Sequence, residues 1–321
     1  MGKVKPFYCK KIEIELTSAC NAGCPDCART IWINKGDKAP KAFKIQNVSL
    51  DDLEKHFNTW SLREVKIKFC GVLGDPIAHK ELLDICEYFI LQKNCLHIEV
   101  STNAGLKTPA YWTELGELSA MSGGRLEMHF AIDGLTTNDY RVNVNLDKVW
   151  ENVNAYLDAG GHATWQYIIF EYNKHEVDDA HALAKEKGMR FATRKSWRND
   201  APKKEHYVTR KKAEKPKENK DVDMGTIKCK HMEDEEIYIG ADGTVWPCCY
   251  LYDEHMVKGG VPQMKDFENN IHEKPLGQIM KDPWLRGRIA ETFDKNHPLN
   301  MPRCWLTCGD KGKRQTQKVV R

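Results

Sequence analysis

Short alternating runs and longer amphipathic runs take turns along the first 193 residues. Alternation of apolar and polar positions predicts six β-strands. They cover residues 12–17, 64–69, 97–102, 125–132, 165–171 and 189–193. Between them, apolar positions recur with the period of a helix. The predicted helices cover residues 50–57, 80–92, 109–118, 146–159 and 176–188. The first of these helices opens on a capping pattern formed by Ser49 and Asp52.

Six β/α alternations predict an α/β fold with a parallel sheet and right-handed crossovers, either doubly wound or curled into a partial barrel. The pattern changes after residue 193. Residues 194–230 contain 13 Lys or Arg against 6 Asp or Glu and show no apolar periodicity. This stretch is either a solvated linker or a strip that binds a polyanion. Beyond it, residues 237–249 predict a hairpin and residues 283–293 a helix.

Composition narrows the class of protein. The chain has 321 residues, is 41% hydrophobic, and carries 49 Lys and Arg against 46 Asp and Glu, for a net charge of +3. These values argue against disorder and against a dedicated nucleic-acid-binding protein. The sequence has neither an apolar run of about 20 residues, as a membrane span needs, nor a secretory signal. We therefore expect a cytoplasmic protein without a membrane partner.

Twelve cysteines are the unusual feature of this composition. They indicate either a disulfide framework or thiolates that hold metal, and a chain long enough to bury its own core favours metal. Cys20, Cys24 and Cys27 follow the first predicted strand with the spacing C-x3-C-x2-C. Three thiolates on one loop can hold an iron–sulfur cube and leave one iron open. A structural zinc site needs a fourth ligand, and no His or Cys follows within twenty residues.

A second set of cysteines lies near the C-terminus. Cys229 and Cys248 frame Gly243 in the spacing C-x13-G-x4-C, and Cys304 and Cys308 follow as C-x3-C. Four thiolates saturate either a zinc ion or a cubane cluster, and spacing alone does not choose between them. Five cysteines have no predicted role: Cys9, Cys70, Cys86, Cys95 and Cys249.

The loop with Cys20, Cys24 and Cys27 resembles that of the radical S-adenosylmethionine (SAM) enzymes, in which this triad follows the first barrel strand. The resemblance implies a partial (β/α)6 TIM-like barrel and a [4Fe-4S] cluster whose open iron binds SAM. It also implies that one electron from the cluster reductively cleaves SAM to a 5′-deoxyadenosyl radical, which abstracts a hydrogen atom from the substrate.

Further segments resemble SAM-binding segments of this family. Residues 70–76 resemble its Gly-Gly-Glu-Pro segment, which implies that Gly71, Gly74 and Asp75 contact SAM. Glycines let backbone approach a ligand closely, and a carboxylate suits an ammonium group. Residues 101–103 resemble its Thr-Asn-Gly segment, with Ala104 in the glycine place. The SAM contacts implied there are Ser101 and Asn103.

Residues 131–134 resemble the family's Ser-Ile-Asp-Gly segment and imply Asp133 as a SAM contact. Arg141 falls near the position of an arginine that meets the SAM carboxylate. Ala131 lacks the hydroxyl that many members use, and Asp26 replaces an aromatic residue beside the third cysteine. Residues 165–170 resemble the strand that lies along the adenine. Asn173 belongs to that segment or caps a helix.

The second cysteine set resembles the SPASM and twitch extensions of this family, which carry auxiliary [4Fe-4S] clusters. One set of four implies a small α+β twitch-type extension with one auxiliary cluster, and hence two clusters in the chain. The domains implied are a barrel at 1–193, a basic linker at 194–228 and the extension at 229–321. With four thiolates, the auxiliary cluster would transfer electrons or brace the domain.

The resemblance implies an oxidoreductase or transferase that modifies a peptide or protein, with an electron donor such as flavodoxin or ferredoxin. Only nineteen residues precede Cys20, so leader-peptide recognition would need a separate protein, which favours the alternative of a small substrate such as a sugar or nucleotide. Asp242, His255 and Glu171 are unranked candidates for a general base. The non-enzyme alternative is a nucleic-acid-binding protein stabilised by zinc.

Overall fold

The computed structural model describes residues 8–36, 42–195, 227–294, 296–309 and 318–320. Its described strands form a nine-stranded sheet in the order β8-β7-β1-β2-β3-β4-β5-β6-β9. The bounds are β1 Lys11–Ile14, β2 Lys66–Phe69, β3 His97–Thr102, β4 Leu126–Ala131, β5 His162–Ile169, β6 Arg190–Lys195, β7 Glu236–Ile239, β8 Val245–Trp246 and β9 Lys318–Val320. All six strands predicted from alternation are confirmed as β1 to β6.

Strands β1 to β6 are parallel and lie side by side in chain order. A doubly wound sheet would reverse its strand order at a switch point. The connections between successive parallel strands are right-handed. When they all advance in the same direction along the sheet, their helices lie on the same face of it. The fold is therefore the partial barrel, and the doubly wound alternative is wrong.

The described residues contain ten α-helices. They are α1 Ala28–Lys35, α2 Leu50–Phe57, α3 Leu82–Glu87, α4 Pro109–Met121, α5 Leu146–Asp158, α6 Val177–Glu186, α7 Lys230–Glu233, α8 Cys249–Lys258, α9 Leu276–Ile279 and α10 Pro302–Cys308. The capping box is confirmed at α2, where the Ser49 side chain accepts from the Asp52 N–H and Asp52 accepts from the Ser49 N–H.

Two predicted helices differ from the observed ones. The helix predicted at 80–92 is α only over α3 and continues as a π-helix from Tyr88 to Gln92. The helix predicted at 283–293 is a 3-10 helix, Arg288–Phe293, preceded by turns. Gly287 has a φ of 116°, a left-handed conformation that does not continue an α-helix.

The two faces of the sheet differ in polarity because successive side chains of a strand point to opposite faces. Ile12 and Ile14 of β1 are fully buried in the core, with Trp112 of α4 and Val149 of α5 in the same cluster. On the other face, polar side chains alternate with these apolar ones. They include Lys11, Glu13, Lys68, Glu99, Ser101, Glu127, His129 and Gln166. The face away from the helices is thus polar, unlike the packed interior of a complete TIM barrel.

The C-terminal segment extends the barrel sheet. Strand β7 pairs in parallel with β1, with Lys11 opposite Glu236 and Ile14 opposite Ile239. It pairs antiparallel with β8 and so confirms the predicted hairpin. Gly243 in the hairpin turn has a φ of 79°, and a Cβ there would lie 2.5 Å from the His272 ring. The division into units at 193 and 229 stays a prediction.

Residues 196–226 of the basic segment lie outside the described residues, so its linker and polyanion readings stay predictions. Within the described part of the chain, no helix has the length and apolar character that crossing a membrane requires.

Candidate cluster and S-adenosylmethionine site

Cys20, Cys24 and Cys27 lie on the loop between β1 and α1, beyond the carboxyl end of β1. Cys27 occupies the N-cap position of α1, and its N–H donates to the Cys24 carbonyl at 3.2 Å. The three cysteines pack in one small cluster with Tyr140 and Phe170. The structure therefore gathers the triad at the barrel rim, where parallel α/β folds place their chemistry.

The surroundings of Cys20 favour a sulfur bound to metal. Burial, together with the charges of Asp75 and of the other two cysteines, raises the pKa of the Cys20 thiol to about 12. Two N–H groups nevertheless point at its sulfur, from Ala22 at 3.3 Å and from the Asn103 side chain at 3.8 Å. A thiolate in this place needs a positive partner, which iron ions provide.

Asp75 joins the three loops at the rim. Its Oδ2 accepts the Asn103 N–H at 2.8 Å, its Oδ1 accepts the Ile77 N–H at 3.1 Å, and its own N–H donates to the Ala19 carbonyl at 2.8 Å. Burial raises the pKa of the Asp75 carboxyl, while these hydrogen bonds and the Arg141 charge oppose the rise. Asp75 thus positions the loop that carries Cys20.

Gly71 and Gly74 allow a close approach, and the structure shows that the approach is to the chain itself. A Cβ on Gly74 would lie 1.8 Å from the Thr17 carbonyl oxygen. A Cβ on Gly71 would lie 2.6 Å from Glu15 Oε1. Both glycines let the loop after β2 pack on the loop after β1, and their contact with SAM stays a prediction.

Ser101 and Asn103 are the SAM contacts predicted after β3. Of these two, only Asn103 lies against the loop that carries Cys20. Its Nδ2 donates to Asn21 Oδ1 at 3.0 Å, and its Oδ1 accepts the Gly105 N–H at 2.8 Å. Ser101 lies within β3 on the polar face, where its hydroxyl donates to Glu99 at 3.4 Å.

Asp133 and Arg141 form a buried ion pair, with Arg141 Nε 2.9 Å from Asp133 Oδ2. Asp133 is fully buried, and its Oδ1 also accepts the Ile168 N–H at 3.2 Å. Burial lowers the pKa of Arg141, but the charges of Asp133, Cys24 and Asp75 outweigh it and raise that pKa. The guanidinium therefore sits charged beside the triad, held there by Asp133.

Asn173 occupies the N-cap position of the 3-10 helix Lys174–Glu176, but its side chain makes no capping hydrogen bond. Its Oδ1 accepts the Phe170 N–H at 2.7 Å, and its Nδ2 donates to the Asp133 carbonyl at 2.6 Å and the Ile168 carbonyl at 2.9 Å. Asn173 thereby ties the ends of β4 and β5 together.

The second cysteine set lines one pocket, to which Cys229, Cys248, Cys304 and Cys308 all contribute. Cys229 and Cys248 occupy the N-cap positions of α7 and α8. Cys304 and Cys308 lie one turn apart on α10 and therefore share a face. Cys249 is not among the lining residues, in agreement with the choice of Cys248.

Cys229, Cys248 and Cys304 of this pocket are destabilised as free thiolates. Burial raises the pKa of Cys229 to about 11 and that of Cys248 to about 12, and neighbouring cysteines add to both shifts. Backbone N–H groups of Met232 and Leu251 donate to these two sulfurs and favour their charged forms. Four thiols that repel one another as anions fit a multivalent metal centre.

The described residues contain no group of three or more His, Cys, Asp or Glu side chains close enough to hold a single metal ion. Three thiols on one loop and four thiols around one pocket are a donor set that fits iron–sulfur clusters.

Comparison with known proteins agrees with this geometry. Residues 229–309 match the family model of SPASM, an iron–sulfur cluster-binding domain. The tungsten-containing aldehyde ferredoxin oxidoreductase cofactor-modifying protein of Pyrococcus furiosus is 28% identical over 128 residues, which cover 40% of this chain and 32% of that protein. This chain therefore aligns with about a third of that relative.

Solved structures show the same fold. Streptococcus suis SuiB bound to S-adenosylmethionine has a TM-score of 0.62 at 14% identity, over 93% of this chain and 72% of SuiB. The protein anSMEcpe with bound AdoMet has a TM-score of 0.56 at 15% identity, over 88% of this chain and 80% of that protein. Residues 229–309 therefore match a SPASM iron–sulfur cluster-binding domain, and the chain shares the fold of these two SAM-bound structures. The SPASM match indicates an iron–sulfur cluster at residues 229–309.

One residue at the barrel rim was missed from sequence. Glu15 is 1% exposed and accepts N–H groups of Leu73 at 2.6 Å and Gly74 at 2.9 Å and the Tyr238 hydroxyl at 3.1 Å. It therefore links the loop after β2 to a strand of the SPASM region. Its polar position in the alternating apolar and polar sequence around β1 is the signal that could have identified Glu15.

The three candidate general bases, Asp242, His255 and Glu171, contact other residues of this chain. Asp242 accepts the Thr244 N–H at 3.1 Å and its hydroxyl at 2.6 Å in the hairpin turn. The His255 ring packs on Trp246 with 4.9 Å between centroids. The Glu171 side chain is 68% exposed and pairs with a neighbouring lysine.

Proposed function

We propose that this protein is a radical SAM enzyme that abstracts a hydrogen atom from a peptide or protein substrate. The observation that carries the proposal is the loop with Cys20, Cys24 and Cys27, which the rim residues Asp75 and Asn103 hold in place. These cysteines would hold a [4Fe-4S] cluster, and the cluster and SAM together supply a 5′-deoxyadenosyl radical. The chain's own residues position the loop and bury the sulfurs.

The structural comparisons support the choice of a peptide. SuiB bound to its precursor peptide SuiA has a TM-score of 0.59 at 13% identity. The protein anSMEcpe with bound AdoMet and the Cp18Cys peptide has a TM-score of 0.54 at 13% identity. Both share the fold of this chain and, in those structures, hold peptides.

A second candidate is the modification of a small molecule or cofactor. The name of the curated relative favours it, since that protein is described as modifying the cofactor of an oxidoreductase. In either case Gly71, Gly74, Asp75, Ser101, Asn103, Asp133 and Arg141 are the proposed SAM contacts.

The four thiols of the C-terminal pocket would hold one auxiliary [4Fe-4S] cluster. Four thiolate ligands leave it no open iron, so it would accept an electron from the substrate or brace the fold. A flavodoxin or ferredoxin is the proposed reductant of the rim cluster. Whether the overall reaction is an oxidation or a group transfer depends on the fate of the substrate radical.

The test is anaerobic incubation of the reconstituted protein with SAM and dithionite. Metal analysis should give about eight iron and eight sulfide per chain. A panel of peptides and nucleotides is then scored for 5′-deoxyadenosine and for mass changes in the peptides. Release stimulated by a peptide supports the proposal, release stimulated by a nucleotide supports the second candidate, and a colourless protein with zinc contradicts both.

A further inference from the structure

A second apolar cluster, whose buried members are distinct from those of the barrel core, lies around the loop that carries the cysteine triad. Its buried members are Ala22, Cys24, Tyr140 and Phe170, and the residues packed against them are Cys20, Cys27, Val144, Ile168 and Tyr172. All three triad cysteines therefore belong to this cluster. Its packing encloses the cysteine loop, whereas the barrel core packs the sheet against the helices.

Three aromatic rings of this cluster form a row beside the triad. The rings of Tyr140 and Phe170 have centroids 4.7 Å apart, and those of Phe170 and Tyr172 stack with centroids 5.2 Å apart. Tyr140 and Phe170 are each 2% exposed, and Tyr172 is partly buried. This row, named here the aromatic wall, presents a continuous apolar surface to the triad.

Hydrogen bonds join the loop that carries Tyr140 to the cysteine loop. The Asp26 N–H donates to the Tyr140 hydroxyl at 3.4 Å, one residue before Cys27. The Gly23 N–H donates to the Val142 carbonyl at 2.8 Å, one residue before Cys24. Because these bonds flank the triad, the Tyr140 ring is held in place beside it.

The charges at the triad do not favour an added electron. Arg141 is a cation beside the triad, and it pairs with Asp133 at 2.9 Å. The charge of Asp75 acts on Cys20 and disfavours a further negative charge there. Apolar packing and these carboxylates therefore act in the same direction.

We propose that the aromatic wall keeps water away from the proposed rim cluster and thereby holds its reduction potential low. The apolar surroundings of a metal centre control its access to solvent, and solvent exposure is one of the properties that set the potential of an iron–sulfur cluster. Reduction adds a negative charge, which water stabilises and an apolar wall does not. A low potential suits a cluster that must donate an electron to SAM.

This inference rests on the proposed function and adds Tyr140, Phe170 and Tyr172 as positioning residues, which act through the cluster and not on the substrate. The test is a redox titration of the anaerobic holoprotein, followed by electron paramagnetic resonance of the reduced clusters. The variant with Cys20, Cys24 and Cys27 all changed to alanine identifies the signal of the auxiliary cluster.

We expect Tyr140→Ala, which opens the aromatic wall to water, to raise the midpoint potential of the rim cluster. The expected rise is about 59 mV or more, which corresponds to an about tenfold change in the one-electron equilibrium. Tyr172→Ala, at a partly buried position of the wall, is the milder second variant and should also raise the potential.

Two controls separate the wall from other effects of substitution. Tyr140→Phe keeps the ring and should keep the wild-type potential. Tyr111→Ala removes a tyrosine of α4 whose hydroxyl also accepts a backbone N–H, that of Leu83 at 3.1 Å, but which packs against the barrel core. This variant should leave the potential unchanged.

A potential that is unchanged or lower in both alanine variants of the wall overturns the inference, and so does an equal rise in Tyr111→Ala or Tyr140→Phe. Loss of the rim cluster from both wall variants also overturns it, because the wall would then serve assembly and not the potential.

Addition of SAM should alter the resonance signal of the rim cluster in wild type. If it does so while the wall variants keep the wild-type potential, the aromatic wall alone is wrong. A wild-type protein that holds no rim cluster, or whose rim cluster does not respond to SAM, contradicts the proposed function itself.

Discussion

At the scale of single residues, Glu15 shows how the barrel and the SPASM region are joined. Its carboxylate accepts two N–H groups of the loop after β2 and the hydroxyl of Tyr238 on β7. Removing such an acceptor would leave buried donors unsatisfied, at about 1–3 kcal/mol each. One side chain thus connects the proposed SAM loop to the strand that leads into the auxiliary site.

Glu15 also predicts a pH dependence. Burial raises its pKa from 4.5 to about 7, helped by the Asp242 charge and opposed by its hydrogen bonds. The folded state then holds the proton more tightly than the unfolded state, so this group stabilises the fold below pH 4.5 and loses that contribution as the pH rises to about 7.

We therefore expect Glu15→Gln to gain stability relative to wild type between pH 4.5 and 7, by on the order of 3 kcal/mol. Urea unfolding at several pH values measures this difference. Glu87→Gln on the outer surface of α3 is the control. A constant difference between wild type and Glu15→Gln across this range would show that Glu15 titrates normally.

At the scale of elements, the loop after β2 packs on the loop after β1 without space for a side chain at Gly74. We expect Gly74→Ala to displace the cysteine loop, because its Cβ would lie 1.8 Å from the Thr17 carbonyl oxygen. Unfolding temperature and iron content should both fall. Gly277→Ala in α9 is the matched control, since nothing lies within 4 Å of a Cβ there. Equal behaviour of the two variants would disprove the close packing.

We expect the two cysteine sets to bind their iron–sulfur clusters independently of each other. Because Cys304 and Cys308 share one face of helix α10, Cys308→Ser should lower the iron content from about eight to about four per chain. The iron that remains should still support SAM cleavage. Cys86→Ala, which removes a buried thiol outside both sets, should keep all the iron. Loss of all the iron in Cys308→Ser would contradict separate sites.

Strands and caps were predictable because their signals are local. Alternation found all six barrel strands, and the Ser49 and Asp52 pattern found the start of α2. The pairing of β7 with β1 joins residues more than two hundred positions apart, which local periodicity does not report. The 3-10 helix at Arg288–Phe293 replaced a predicted α-helix because Gly287 takes a left-handed conformation before it.

The candidate site, like the fold, combines features that local sequence signals predict with contacts that only the folded chain creates. Cysteine spacing identified both sets, because neighbouring ligands sit on one loop or on one helix face. The partners that position them come from separate strands. Asp133 holds Arg141 at the triad, and Glu15 meets Tyr238, through contacts that only the folded chain creates.

At the scale of the whole molecule, the sheet runs without a break from the SPASM strands through the barrel. Its apolar face packs under the helices, and its polar face carries Glu13, Lys68 and Glu99 side by side on β1, β2 and β3. This layout places two proposed clusters and a charged surface on one continuous framework. Because one face of the sheet is polar, apolar and polar residues alternate along its parallel strands. Strands buried on both faces would be apolar throughout.

The central claim is that the loop of Cys20, Cys24 and Cys27 holds the cluster at which SAM is cleaved. The most direct measurement is 5′-deoxyadenosine formed from SAM by the reduced, anaerobically reconstituted protein. Wild type and Cys308→Ser should both form it, and a variant with all three loop cysteines changed to alanine should form none while retaining about four iron per chain. The account is contradicted if wild type forms none, or if the triple variant forms as much as wild type.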